Sequence, residues 1–235
     1  MRSAPARLTE GLEPFGLVLR GGFAAEPQDG IPQLPDGRPA RSVLMVGNVG
    51  MPDGDPMWRA FAAARARFPG DHPMNDWTRA AIDPIARSVG ALALYPFDGP
   101  PYRPFQRWAM RAEPVSPSPL GLFIHPDYGL WHAYRAALVL AEELDLSPRA
   151  DTASPCDTCA DKPCLHACPV GAFTPAGYDV PRCATFLKTD AGEDCMTNAC
   201  RARRACPVAP NRAPVTAQAR FHMEAFLRGA SVRRP

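Results

Sequence analysis

The chain has 235 residues, 46% of them hydrophobic and 21% charged, with a formal net charge of +2. That length suits one domain of ordinary size plus a small one, the composition is globular, and so slight a charge gives no ground for a nucleic-acid partner. No stretch approaches the roughly 20 apolar residues of a membrane span, and the N-terminus MRSAPARLTEGLEPFG lacks the apolar run of a signal-peptide core. The expected location is therefore the cytoplasm, away from membranes. The 29 prolines predict many loops and short elements.

Residues 4–14 read as a short helix, and FGLVLRGGF as a strand with a glycine break. Residues 26–41 form a Pro/Gly loop with two turn signals. SVLMVGNVG is a buried strand bounded by glycine. DGDPMWRAFAAARARFPG is the clearest helix: Asp55 caps it, Pro56 takes its first position, and Pro69-Gly70 stops it. Met57, Phe61, Ala64 and Phe68 share one face. GNVGMPDG lacks the Lys-Ser/Thr of a phosphate loop and the glycine spacing of a dinucleotide loop. HPMNDWTRAAIDPIARSVG predicts a second helix, bent or interrupted at Pro84, and ALALYPF a second buried strand.

DGPPYRPFQRWAMRAEPVSPSP reads as irregular, with one helical turn at Gln106 to Arg111, and its length makes it a candidate lid or binding loop. LGLFIHPDYGLWHAYRAALVLAEEL predicts strand, turn, strand. The polar, Pro-rich DLSPRADTASP marks a domain boundary. Thr216 to Arg228 predicts a last helix with a basic tail. Strands and helices interleave through the first 150 residues, which implies an α+β or α/β layer domain. The expected divisions are 1–150, 151–212 and 213–235.

All eight cysteines fall between Cys156 and Cys206. Cys156, Cys159, Cys164 and Cys168 are separated by two, four and three residues; Cys183, Cys195, Cys200 and Cys206 by eleven, four and five. Each set closes on Cys-Pro, at Pro169 and Pro207. This resembles the way bacterial two-cluster ferredoxins hold paired 4Fe–4S clusters, where the Cys before Pro ligates the other cluster. The same crossing assigns Cys156, Cys159, Cys164 and Cys206 to one cluster, and Cys168, Cys183, Cys195 and Cys200 to a second. A cubane needs four inward-pointing thiolates, and short Cys-x-x-Cys steps let one loop supply several of them.

Two zinc sites or four disulfides are the rival readings. Both Cys-Pro endings and CPVGAF weigh against zinc. Against disulfides, the long remainder of the chain carries no cysteine. One departure from the ferredoxin pattern is the lengthened first step, at Asp161, Lys162 and Pro163. In a surface loop that costs little closure entropy.

The segment HPDYGLWHAYRAALVL resembles the cobalamin-processing proteins of the cblC type, through His125, Pro126, Tyr128, Gly129, Trp131, Ala133 and Arg135. The cysteine segment is similar to that of the epoxyqueuosine reductases and reductive dehalogenases, with CPVGAF, PRCATFL and a closing Cys-Pro in the same order. The resemblance implies a nitroreductase-like α/β domain followed by a small two-cluster ferredoxin-like domain. It implies an iron–sulfur oxidoreductase that passes electrons from two 4Fe–4S clusters to a corrinoid (cobalamin) or other ligand. Arg135, Tyr128, Trp131 and His125 are the ligand-binding candidates, Arg135 as an anion clamp. An electron donor follows as partner: a reductase, a ferredoxin or a flavodoxin. Nitroreductase-like domains of flavin enzymes bind ligands between subunits, which would extend here to a dimer.

Departures narrow this. Glu113 is the only acid in the loop where the epoxyqueuosine reductases carry a proton donor, and Arg87 replaces a histidine of the cblC type. The tRNA-binding helical repeats are missing, so no nucleic-acid partner is expected. Glu113 and Asp98 are candidate acids by location alone. The plain readings make His125 a backbone-bonded loop residue, Tyr128 and Trp131 core or pocket wall, and His166 solvent-facing. Arg201, Arg203 and Arg204 either offset cluster charge or form a docking patch for an acidic electron donor. The alternative function is a ferredoxin-type electron carrier whose first domain only docks.

Overall fold

The computed structural model describes residues 3–232. The arginines of the expected basic tail, Arg233 and Arg234, lie outside them. The chain forms two compact units. The first takes the residues up to Val49, then Asp55–Pro114 and His132–Asp151. The second takes Gly50–Gly54, Val115–Trp131 and the chain from Thr152 onward.

The first unit contains α1 (Ala4–Leu12), β1 (Val18–Ala24), β2 (Ser42–Val49), α2 (Pro56–Ala64), α3 (Pro73–Ser88), β3 (Leu92–Leu94) and α4 (Phe105–Ala112). The chain then passes through β4 (Ser116–Pro117) and β5 (Phe123–Ile124) of the second unit and returns as β6 (His132–Leu140). The sheet order is β1-β2-β6-β3, antiparallel throughout. β2 pairs along its whole length with β6, Val43 opposite Val139 and Met45 opposite Ala137. Every residue of β2 except Val49 is buried, as expected of a strand covered on both faces. Val43 and Met45 face Phe23, Leu94, Phe105, Trp108 and Val139 in one core cluster. Leu44, Val46 and Leu138 are buried with the opposite parity. β1 carries a bulge between Leu19 and Gly22. Gly21 lies in it with φ +67°, and a Cβ there would collide with the Ala112 carbonyl.

Asp55 caps α2 by accepting from Met57 N–H at 2.9 Å. The helix stops at Ala64 and tightens into a 3₁₀ turn at Arg65–Arg67, so Phe68 falls outside the helical face expected for it. α3 runs unbroken through Pro84. Burial of Trp77, Ala81, Ile82 and Ala86 on both sides of the proline offsets its cost of about 3 kcal/mol. The helical turn expected at Gln106 to Arg111 is α4, and it is not part of a lid, since its Phe105, Trp108, Ala109 and Ala112 are buried. Trp108 is fully buried and donates from Nε1 to the Asp29 carbonyl at 3.0 Å. That helix is core, and its apolar spacing of three, four and seven residues is the signal that the segment's length obscured.

The second unit adds α5 (Pro163–His166), the hairpin β7 (Phe173–Thr174) and β8 (Gly177–Tyr178), α6 (Val180–Leu187), α7 (Glu193–Asn198), α8 (Arg201–Arg204) and α9 (Thr216–Val232). Among its cores, Leu187, Cys195 and Met196 pack with Cys183, Phe186, Met223, Phe226 and Leu227. The C-terminal helix is thus part of this unit. No helix among the described residues is long and apolar enough to cross a membrane.

Arg20 is the largest charge buried in the first unit, at 1% exposure. Its Nε donates to Glu113 Oε1 at 2.8 Å and its NH2 lies 2.7 Å from Oε2, a two-pronged pair. Tyr134 donates its hydroxyl to the same carboxylate at 2.6 Å, and the Arg20 guanidinium lies 5.0 Å from its ring centre. Removing one partner of such a pair leaves the other charge buried alone. Arg20→Ala and Glu113→Ala should each cost about 3–5 kcal/mol, read as a lower denaturant midpoint by circular dichroism. Arg38→Ala, at the exposed Asp36 pair, should leave the midpoint in place.

Candidate functional site

The first set of thiols gathers around the turn at Cys156, the start of α5 and the chain leaving α8. Burial pushes the Cys156 thiol up, and Cys206 and Cys159 push it further. The Cys164 thiol is raised by burial, then by Cys206, Cys156 and Cys159. Cys206 is buried and raised in the same way, with Cys159 beside it. Lys162, from the lengthened step of the motif, folds back over the loop. Its Nζ donates to the Cys156 carbonyl at 2.8 Å and the Cys159 carbonyl at 3.1 Å. The extra length thus supplies a clamp. Ser154 accepts from Cys156 N–H at 3.3 Å and from Ser116 Oγ at 2.8 Å.

The second set lines a cavity of about 380 Å³. Cys168, Cys183, Cys195 and Cys200 share its wall with Leu120, Phe173, Phe186, Met223 and Phe226. Cys168 Sγ accepts from Ala172 N–H at 3.3 Å. Burial raises the Cys200 thiol, and the N–H groups of Arg203 and Ala202 at the start of α8 pull it back. Cys183 sits in the first turn of α6, which Asp179 caps by accepting from Arg182 N–H at 2.9 Å. Its thiol is raised by burial, with Cys200, Cys168 and Cys195 adding to the rise. Among the described residues, no group of three or more His, Cys, Asp or Glu side chains is gathered so as to hold a single metal ion.

The three non-glycine residues with positive φ among the described residues all fall in this segment: Lys162, Ala199 and Ala209. Such backbone costs of order 1–3 kcal/mol and persists where its surroundings fix it. Arg204 is one such fixing group, donating from Nε to the Ala199 carbonyl at 3.2 Å. Arg203 donates from Nε to the Leu130 carbonyl at 3.1 Å and lies 4.2 Å from the Trp131 ring centre. Burial pulls its guanidinium down to about 10.

The four ligand-binding candidates fall in different units: Arg135 in the first, His125, Tyr128 and Trp131 in the second. Arg135 Nε donates to Asn48 Oδ1 at 3.3 Å. Burial draws its pKa down to about 10, and the Asp55 charge opposes the shift. Asn48 in turn donates to Asp55 Oδ2 at 2.6 Å, so Arg135 answers to an internal carboxylate. His125 is buried, accepts at Nδ1 from Asp127 N–H at 3.0 Å and stacks on Tyr128 with ring centres 4.3 Å apart. Trp131 is buried, and its indole N–H has no acceptor among the described residues.

Glu113 is spent on Arg20 and Tyr134, and Asp98 pairs with Arg79. His166 and Arg87 are exposed. Arg201 and Arg204 both bind Asp194, which the hydrogen bonds of Asn198 and Arg201 hold at about 2. With Arg203 on Leu130, all three arginines are engaged within the protein. Lys162 and Tyr178 are the residues around the thiols that sequence reasoning left unassigned. A lysine and an aromatic inside a ligand segment were the available signals.

The turn carrying the His-Pro-x-Tyr-Gly run packs against the end of the cysteine segment. His125 and Gly129 exchange backbone hydrogen bonds at 2.9 Å each way. Gly129 has φ +57°, and a Cβ there would collide with the carbonyl of Val208, two residues beyond Cys206. Arg212 lies 5.4 Å from the Tyr128 ring centre and donates to the Gly50 carbonyl at 2.7 Å. The motif is thus a buttress beside Cys206.

No protein-family model matches the chain, and no curated protein matches it. Among solved structures, a selenomethionine-labelled epoxyqueuosine reductase superposes with a TM-score of 0.51 at 16% identity, over 90% of this chain and 67% of that one. A C. elegans B12-trafficking protein, CblC, superposes with a TM-score of 0.53 at 12% identity, over 95% of this chain and 94% of that one. The chain therefore has a mixed helix-and-sheet fold like that of these proteins.

Gly129→Ala should destabilise the second unit by at least about 1–2 kcal/mol from its left-handed backbone alone. The collision with Val208 adds to this. A denaturant midpoint equal to that of the parent protein would show the turn to be dispensable.

Proposed function

We propose that the chain is an iron–sulfur oxidoreductase. Cys156, Cys159, Cys164 and Cys206 would hold one 4Fe–4S cluster, and Cys168, Cys183, Cys195 and Cys200 a second, in a ferredoxin-like second unit. Such clusters, when bound, supply one-electron transfer at a potential set by charge, hydrogen bonds to sulfur and exposure. The observation that carries this reading is the lining of one apolar-walled cavity by four thiols. The donor set fits. A structural zinc needs its sulfurs about 2.3 Å from one point, whereas a cubane takes each thiolate at a different iron. The backbone N–H groups on Cys168 and Cys200 support retention of thiolates there.

The chain's own residues have definable tasks. Lys162 holds the Cys156–Cys159 loop closed, and Gly129 lets the 125–129 turn seat against Val208 beside Cys206. Arg203 places a half-buried positive charge at the second cavity. Leu120, Phe186, Met223 and Phe226 exclude water from it.

We further propose cobalamin or a related corrinoid as the electron acceptor, with a reductase, ferredoxin or flavodoxin as donor. The fold likeness to CblC and to an epoxyqueuosine reductase supports this. Arg135, His125 and Tyr128 are engaged with protein groups. The alternative is a ferredoxin-type carrier, favoured by the engagement of those same residues.

Anaerobically purified protein should be brown, with about eight irons per chain. Cys156→Ser and Cys183→Ser should each remove about half of that iron by elemental analysis. Colourless protein with two zincs would end the iron–sulfur reading. Titration with cobalamin separates enzyme from carrier: a saturating shift of the cobalt absorption bands supports the enzyme, and no shift at full iron content supports the carrier.

A further inference from the structure

Bacterial two-cluster ferredoxins pass from the second ligand to the third across two residues. Here the step from Cys159 to Cys164 takes four, Ala160 to Pro163. A plain surface insertion would leave all the added residues in solvent. Asp161 is exposed, but Lys162 is half-buried and turned back over the loop. Its Nζ donates to the Cys156 carbonyl at 2.8 Å and to the Cys159 carbonyl at 3.1 Å. Both acceptors belong to residues of the first thiol set.

The backbone is arranged for this reach. Lys162 takes φ 38° and ψ 58°, a left-handed conformation that few non-glycine residues adopt. Pro163 follows in the first turn of α5, where its fixed φ suits a helix start. Leu165 N–H donates to the Lys162 carbonyl at 2.9 Å, and Ala167 N–H to the Pro163 carbonyl at 3.1 Å. Elsewhere in this unit, Arg201 and Arg204 end on Asp194, and Arg220 ends on Glu193. The two bonds of Lys162 go instead to uncharged carbonyls, which hold an ammonium without cancelling its charge. Bond lengths from either carbonyl oxygen through Cα and Cβ keep that ammonium within about 8 Å of both sulfurs. That is about one Debye length at physiological salt.

We propose that Lys162 is a positioning residue for the cluster of Cys156, Cys159, Cys164 and Cys206, holding a fixed positive charge against the ligand loop and making that cluster easier to reduce. The inference rests on the cluster reading above. One-electron reduction adds a negative charge and no proton, so a held cation stabilises the reduced form more than the oxidised one. Net charge is among the quantities that set a cluster's potential. Asp157 and Asp161 of the same loop are exposed, so water and salt screen them more than the half-buried ammonium.

The test is Lys162→Met in the full chain, purified without oxygen beside the parent protein. Iron per chain is measured first, and then both reduction potentials by reductive titration followed by electron paramagnetic resonance. The expected result is unchanged iron, one transition shifted to lower potential and the other unmoved. The shifted transition should be the one that Cys156→Ser abolishes. Lys162→Arg, which keeps the charge, should shift it less. Unchanged potentials at full iron overturn the inference and leave the cluster reading standing. A shift of equal size in Asp161→Asn also overturns it, since the loop's overall charge would then matter and not the held ammonium. If Lys162→Met loses half of its iron, Lys162→Gly decides, because glycine takes the left-handed backbone freely. Full iron with one lowered potential upholds the inference; renewed loss makes the residue a structural clamp and overturns it. A parent protein without iron removes the cluster reading and this inference together.

Discussion

Crowding thiols together among short elements is the constraint on which the second unit depends. Thiols at Cys156, Cys164, Cys183, Cys200 and Cys206 are all raised by burial, and neighbouring thiols raise most of them further. Such a site retains thiolates only with a metal group to share their charge. The elements around the cysteines are short, α5 and α8 having four residues each, so their own backbone bonding fixes little of the arrangement. The enforcement comes from specific contacts. Lys162 ties one ligand loop through two carbonyls, Arg203 bridges α8 to Leu130 and Trp131, and Gly129 lets a turn press on Val208.

The same logic explains where strain is tolerated. Lys162 takes a left-handed backbone, and its ammonium then reaches two carbonyls. Ala199, at φ +66°, ends α7 and turns the chain so that Cys195 and Cys200 enter one cavity from different elements. Ala209, also left-handed, starts the 3₁₀ turn whose Arg212 reaches Gly50 and Tyr128. Each conformational cost is matched by a contact that a relaxed backbone at that position would not make.

The first unit handles buried charge by closing it on itself. Arg20, Glu113 and Tyr134 form one closed set, and Arg135, Asn48 and Asp55 another. Arg20 also donates to the Asn48 carbonyl at 3.2 Å, which joins the two sets through β2. In both, the arginine is satisfied by an internal acid or amide. These sets brace a sheet whose central strand is apolar on both faces. They also turn Glu113 from a candidate proton donor into a structural partner.

Much of the fold was legible in local pattern. The Asp55–Pro56 start of α2, the apolar run of β2 and the helix at the C-terminus follow from capping chemistry and periodicity, which act within a few residues. Pro84 misled, because proline costs are local while the burial of Trp77 and Ile82 that outweighs them is not. Of the candidate site, the gathering of all eight cysteines into one segment was legible, since residue type and spacing are read directly. The partners of Arg135, Glu113 and Arg203 depend on where separate elements come to rest. The sequence by itself determined the chemistry available: eight thiols in one segment and an apolar layered domain before them. Only the tertiary structure decided which charges are already spent and which thiols share a wall, because both are set by contacts between residues far apart in the chain.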